Sequence, residues 1–293
     1  MKQFLFALLI SFSAFASAQE TQEAPEITTE ELLAALNARS GDVALPGDIA
    51  TLALGDKFVY LDPENTETLL VEGWGNPPGN ETLGMVLPAG INPLAAEGWG
   101  VVVTYMEDGY VSDADADEID YNALLTDMKE ASAEESEQRA AQGYGSMLLK
   151  GWAEPPRYDR ATHKFYWAQE FVTDNTDENS LNYNIRVLGR RGVLVLNAVA
   201  GMNQIGVVKR AMPDLLAVTD FTAGNRYQDF DSSTDHVAEY GLAALVAGGV
   251  AAKMGLFAKV AAFLLAFKKL AFIGGAARIA GLSRFFKKKP PQA

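Results

Sequence analysis

Four residues, Gly189-Arg190-Arg191-Gly192, separate the apolar-rich runs LNYNIRVL and VLVLNAVAG. A parallel connection needs a crossover of about a dozen residues or more, so a break this short makes the two runs an antiparallel hairpin. Other stretches repeat the pattern. GDVALPGDIATLALGDKFVYL reads as short strands punctuated by glycine and proline, and MVLP and WGVVVTYM as two more. In the last of these Val101, Val103 and Tyr105 share one face, with Val102 and Met106 on the other. HKFYWAQEFV alternates Phe165, Trp167 and Phe171 with Tyr166, Ala168 and Glu170, the signature of a half-buried strand. The segment from Phe221 to Phe230 reads as a last strand or an ordered loop.

Helical signals fall between these groups. Thr28 and Glu31 have capping-box spacing ahead of Leu32, Leu33 and Leu36. Asp62-Pro63 opens a helix that glycine closes, and Tyr121, Leu124, Leu125 and Met128 recur at i, i+3, i+4 and i+7. A further helix from about Gln204 carries Ile205, Val208 and Met212, and Pro213 should break or kink it. Strands in runs, hairpin-length links and interspersed helices together predict an α+β fold with a mainly antiparallel sheet. LLKGWAEPPRYD, residues 148–159, has two consecutive prolines and reads as a rigid turn leaving one strand before the next. Trp152 should pack over the sheet, and Arg157 and Asp159 should pair across the turn. VEGWGNPPGN, residues 71–80, repeats its Gly-Trp-x-x-Pro-Pro skeleton as a shared structural device.

The two ends differ from the body. MKQFLFALLISFSAFASA has one lysine, a short apolar core and an Ala-Ser-Ala ending, so residues 1–18 read as a cleaved secretory signal. Cysteine is absent, which excludes disulfides, thiolate metal sites and a cysteine nucleophile. After Glu239 there is no acidic residue, while nine of the 24 basic residues follow it; residues 19–239 keep 14 basic residues against all 38 acidic ones. The run from Gly241 to Phe267 is interrupted only by Lys253 and Lys259. As a helix it would be about 40 Å long, against about 30 Å of bilayer hydrocarbon. No single basic stripe forms around it, which weakens an interfacial helix; a buried helix pair is a third reading. A membrane helix or helical hairpin is the expectation, with KKKPPQA on the cytoplasmic side. Whether Leu270 to Ala277 begins a second membrane segment stays open.

Several runs in one order carry a resemblance: GYVSDADADEIDYNALL, GWAEPPRYDRATHKFYWA, LNYNIRVLGRRGVLVLNAV and AGNRYQDFDSSTDHVAEYGLAALVAGGVAAKMGL. Over about residues 40 to 270 the chain resembles the bacterial domain of unknown function 2167 family, described only as predicted membrane-anchored proteins. The resemblance implies an envelope location and a C-terminal anchor. It carries over no catalytic residue.

Asp113, Asp115 and Asp117 match positions 1, 3 and 5 of a calcium loop, but Glu118 stands where glycine is needed and Leu124 where a bidentate glutamate is needed. An acid-rich helix start accounts for them better. His163 and His236 are the only histidines, without helical metal-site spacing, so no metal and no cofactor is expected. Asp159 and His163 are the weak catalytic candidates, and no nucleophile elbow accompanies them. Trp152, Arg157, Tyr158, Trp167, Asn182 and Tyr183 are the weak candidates for a ligand groove, within an aromatic set that also includes Trp74, Trp99 and Tyr227. Core and turn packing competes for all of them. The acidic body and the lack of a phosphate loop argue against nucleic acid and nucleotides.

These readings predict a signal at 1–18, a polar leader and short helix at 19–39, a periplasmic domain at 40–238, a membrane-anchoring region at 239–286 and a basic cytoplasmic tail at 287–293. The expected partners are membrane lipid and an envelope or membrane protein, or a second copy. The expected role is a non-catalytic scaffold or binding module on the inner membrane. An envelope hydrolase acting on a glycan, peptide or lipid through carboxylates and His163 is the alternative.

Overall fold

A computed structural model describes residues 29–174 and 178–247. The chain begins with helix α1 (Thr29–Ala35), strands β1 (Asp42–Ala44), β2 (Ala50–Ala53) and β3 (Phe58–Leu61), and helix α2 (Pro63–Thr68). Strands β4 (Gly84–Pro88) and β5 (Gly100–Met106) follow, then the long helix α3 (Tyr121–Ala141). Next come β6 (Met147–Asp159), β7 (Lys164–Thr173), β8 (Ser180–Leu188) and β9 (Val193–Gly201). Helix α4 (Ile205–Ala217), strand β10 (Thr219–Phe221) and helix α5 (Leu242–Val246) complete the described part. The fold is α+β and its ladders are antiparallel, as the short connections require. Seven strands form one sheet in the order β3-β4-β5-β9-β8-β7-β6, and β1-β2-β10 form a smaller one.

The Gly189–Gly192 turn joins β8 to β9, pairing Leu188 with Val193. Gly192 is required by close approach, because a Cβ there would collide with the Met106 carbonyl. One face of the large sheet is covered by α4 and the small sheet. Val101, Val103, Ile185, Leu196 and Ala198 share an apolar core there with Val208, Met212 and Leu215 of α4 and with Leu52 and Phe221. Helix α4 continues through Pro213 to Ala217 instead of breaking. The proline forfeits one backbone hydrogen bond, but Leu215 beyond it is fully buried on the same stripe and holds the last turn in place.

On the opposite face two helical groups cover the two sides. Leu69 and Leu70 of the π turn that follows α2, and Trp74 at its end, pack with Met85, Leu87, Val102 and Val199. Asp62 caps α2 by accepting from the Asn65 N–H. At the far side Leu125 and Met128 of α3 pack on Met147, Leu149 and Phe171. Helix α3 is otherwise polar and starts at Asp120, whose carboxylate accepts from the Asn122 and Ala123 N–H groups. Two of its serines reach the strand: Ser136 Oγ accepts from the Met147 N–H and Ser132 Oγ from the Leu149 N–H, each at 2.9 Å.

LLKGWAEPPRYD is not a turn. All twelve residues lie within β6, and the turn comes later, between Asp159 and Lys164. β6 is an edge strand, where a missing proline N–H breaks no ladder. Three register shifts run along it, and in the third Pro155 and Pro156 together face the single Trp167. Arg157 and Asp159 do not pair across a turn. The echo at 71–80 has a different form: Trp74 ends the π turn, donates from Nε1 to the Pro93 carbonyl at 2.9 Å, and its prolines lie in a loop.

No helix among the described residues is long and apolar enough to cross a membrane. The expected membrane run is described only to Ala247; its remainder, the basic tail, the signal segment and Thr28 lie outside the described residues. In the described part Leu242, Ala244, Leu245 and Val246 are buried, and the Leu242 N–H donates to Asp115.

Candidate functional site

Strand β8 alternates in sequence, and both of its faces are buried. Leu181, Tyr183, Ile185 and Val187 enter the core beneath α4, while Asn182, Asn184 and Arg186 point to the other face. Register extends the polar set sideways. Asn182 lies opposite Gln169 and Val199, Asn184 opposite Trp167 and Asn197, and Arg186 opposite Phe165 and Val195. The shifts in β6 bring Trp152 opposite Gln169 and Tyr158 opposite Phe165, on that same face. The resulting strip crosses the middle of the sheet, between the α2 side and the α3 side. On this face Leu69, Leu70 and Trp74 reach as far as Val199 of β9, and Leu125 and Met128 of α3 reach as far as Phe171 of β7.

The strip is only partly self-satisfied. Asn184 Nδ2 donates to Gln169 Oε1 at 3.0 Å and to the Asn182 carbonyl at 3.2 Å, and Arg186 Nη1 donates to Asn184 Oδ1 at 3.4 Å. Yet Trp152 Nε1, Trp167 Nε1, Arg186 Nε, Asn182 Oδ1 and Asn197 Oδ1 are buried without a hydrogen-bond partner. Trp99 Nε1 is the one further such atom among the described residues, and it sits in the apolar core. Leaving a buried donor or acceptor unmet costs about 1–3 kcal/mol. Five on one face is therefore a substantial local penalty.

Arg186 is the most exposed to that penalty. Its guanidinium lies over the Trp167 ring, 4.7 Å from the centroid, and no ion pair among the described residues includes it. Burial pushes its pKa down to about 9, with Tyr240 opposing the shift, so the side chain remains a cation at neutral pH. Tyr240 itself donates to Asp108 at 2.6 Å, and burial together with that carboxylate raises its pKa. A cation this deep calls for a compensating anion.

Of the aromatic and polar groove candidates, Trp152, Tyr158, Trp167 and Asn182 share the strip. Arg157 and Tyr183 face the other way. Arg157 lies over the Tyr166 ring at 4.3 Å, and Tyr183 sits in the α4 core, where burial raises its pKa to about 12. Gln169, Asn184, Arg186 and Asn197 belong to the strip and were not singled out by sequence. For Asn184 and Arg186 the signal was the NYNIR alternation itself, which ordinarily marks a solvated face; Gln169 and Asn197 are single polar residues in apolar runs.

Asp159 and His163 are brought near the β6–β7 turn without a hydrogen bond between them. Asp159 closes the turn, accepting from the Ala161 N–H at 2.9 Å and the Thr162 hydroxyl at 2.8 Å, and these bonds lower its pKa. His163 has a left-handed backbone, φ 52°, and its ring stacks on Tyr227 at 4.1 Å. Tyr227 stacks in turn on Tyr110, and Tyr110 on Phe230. His163 Nδ1 lies 3.3 Å from the Tyr158 hydroxyl, which donates to Asp113 at 2.8 Å. Burial, reinforced by Asp113, raises the Tyr158 pKa and keeps that proton in place. This arrangement pins a turn to two loops. Beside it a groove of about 390 Å³ includes Lys164, Asp220 and Arg226, and Arg226 is already paired with Asp220 at 2.6 Å.

The three aspartates of the calcium-like run take separate partners. Asp113 accepts from Tyr158, Asp115 from the Leu242 N–H and Asp117 pairs with Arg160. Among the described residues no group of three potential ligands is placed to hold a metal ion.

Comparison with known proteins gives a family and no activity. No functionally curated protein matches the chain. Among solved structures, the chain is similar to cyanobacterial PsbP (CyanoP) from Synechocystis sp. PCC 6803, with 12% identity, covering 62% of this chain and 91% of that one, at a TM-score of 0.33. It is also similar to the Ran-binding protein Mog1p of Saccharomyces cerevisiae, with 10% identity, covering 66% and 100%, at a TM-score of 0.31. Likenesses this slight carry no argument about function. The family model described as protein of unknown function (DUF2167) matches residues 37–277. The chain belongs to that family.

Proposed function

We propose that this protein is a non-catalytic, ligand-binding module of the bacterial envelope, anchored in the inner membrane by its C-terminal apolar region with its body in the periplasm. The observation that carries the binding role is the strip: five buried polar atoms without partners, gathered on one face of the sheet. Folding alone gains nothing from that arrangement, whereas a ligand that pairs with those atoms recovers their cost. The secretory character of residues 1–18 and the acid-free tail support the location, and so does the family resemblance. Membrane lipid is then the anchor's surroundings, and an envelope protein or a second copy of the chain is the expected neighbour.

Thermal unfolding of the full-length protein in detergent, with and without a small-molecule extract of the cell envelope, tests the binding role. Binding at about 100 times the dissociation constant stabilises by about 2.7 kcal/mol, a readily measured rise in Tm. No rise, together with cleavage of an envelope polymer by the same preparation, would replace the binding role by a hydrolase. Location is tested separately: protease added to spheroplasts is expected to digest the body and spare the KKKPPQA end.

A further inference from the structure

The strip is specific about charge. Its one ionised group is Arg186, buried, stacked on Trp167 and without a carboxylate among the described residues. Its Nε–H is free, and the indole N–H groups of Trp152 and Trp167 add two more unmet donors. The unmet acceptors, Asn182 Oδ1 and Asn197 Oδ1, lie one residue pair and more away along β8 and β9. From Asn182 to Arg186 is four residues, or about 13 Å of extended strand. An apolar occupant such as a lipid tail would leave all five atoms unmet, and a metal cation would be repelled by the guanidinium. An anion beside Arg186 would satisfy its charge, and hydroxyl or amide donors on the same molecule would reach the asparagines.

Resting on the ligand-binding reading above, we infer that the strip takes a small organic anion, a carboxylate or phosphate ester, whose anionic group sits at Arg186 and whose hydroxyl or amide N–H groups donate to Asn182 and Asn197. A single molecule about 13 Å or less in length suffices. Trp152, only partly buried, marks the strip's more open side at β6.

The test uses the full-length protein in detergent, tryptophan fluorescence, and three probes: sodium glucuronate, glucose 6-phosphate and glucose. Trp152 and Trp167 place two reporters in the strip. The expected result is a saturable change with at least one of the two anions and at least about tenfold weaker binding of neutral glucose, since charge-assisted bonds are the stronger ones. The carboxylate and phosphate arms then say which anion is preferred. Arg186→Gln is expected to abolish the preference for the anion. Arg186→Lys, which keeps the charge but lacks Nε, is expected to keep it at reduced affinity. Comparison of the three probes on the unaltered protein stands even if a variant fails to fold. Equal responses to glucose and both anions, or no response to any of the three, overturns the inference. In that case stabilisation by the envelope extract would still leave the broader binding role intact, so the two failures are distinguishable.

Discussion

The two faces of the seven-stranded sheet are built from the same strands and have opposite chemistry. Beneath α4 and the small sheet, Ile185, Leu196, Ala198, Val208 and Leu215 bury only apolar groups. Across the same backbone, one residue out of step, Asn182, Asn184, Arg186 and Asn197 bury amides and a cation. Apolar burial stabilises wherever it occurs, at about 25 cal/mol per Å² removed from water. Buried polar groups are neutral at best when paired and costly when unpaired. One face is therefore organised for stability, and the other carries buried polar groups that folding alone does not reward.

That contrast is open to test. The largest effect is expected on the apolar side. Leu196→Ala should cost about 2–5 kcal/mol in denaturant unfolding, because the cavity opens in a closed core. A cost below 1 kcal/mol would mean that this core is loose, and the contrast would weaken.

Next in size comes the seat of α3. Ser136→Ala removes the acceptor for the Met147 N–H and should cost about 1–3 kcal/mol. Faster amide exchange confined to Met147 and Leu149 would localise the loss to β6.

On the polar face the sign is expected to reverse. Asn197→Leu, with the same branching but bulkier methyl groups, removes an unmet acceptor and should raise stability by about 1 kcal/mol without ligand where the strip accommodates the added bulk, while weakening whatever the strip binds. Destabilisation of the size seen for Leu196→Ala would make the two faces equivalent.

The smallest effect lies away from both faces, at the hairpin tip. Arg190 Nε donates to Asp235 Oδ2 at 2.6 Å and Nη2 to Oδ1 at 3.1 Å, and the Asp231 N–H also donates to that carboxylate. With Arg190 as the leading cause, these hold the Asp235 pKa down to about 2. A depressed carboxylate stabilises fully above its unfolded value, about 3.9, and the contribution disappears as pH falls through about 2. Chemical denaturation of the unaltered protein and Asp235→Asn should converge as pH drops from 4 to 2. Parallel stabilities over that interval would show that the pair does not couple to folding.

Much of this architecture was legible from periodicity. The β8–β9 hairpin, the two faces of β5 and the α3 stripe of Leu124, Leu125 and Met128 follow from spacing that is local along the chain. What could not be read was position within the sheet. Two prolines end a central strand but not an edge strand, and nothing local says that residues 147–159 lie at an edge. The strip was half visible for a related reason. Trp152, Tyr158, Trp167 and Asn182 were conspicuous by type, while Gln169, Asn184, Arg186 and Asn197 resembled the wet side of a half-covered strand. Whether a polar face is wet or dry depends on what packs above it, which is long-range information. Pro213 misled in the same way, since the buried Leu215 beyond it outweighs the lost bond.

The irregular outline of β6 has one more consequence. A flat, fully hydrogen-bonding border invites strands of other molecules to join it and grow into fibres. Three bulges break the spacing of its outward amides and carbonyls, and two prolines remove donors altogether. An incoming strand would find no continuous template there. The segment that most resembles a recognition motif serves, at this border, as a guard against self-polymerisation.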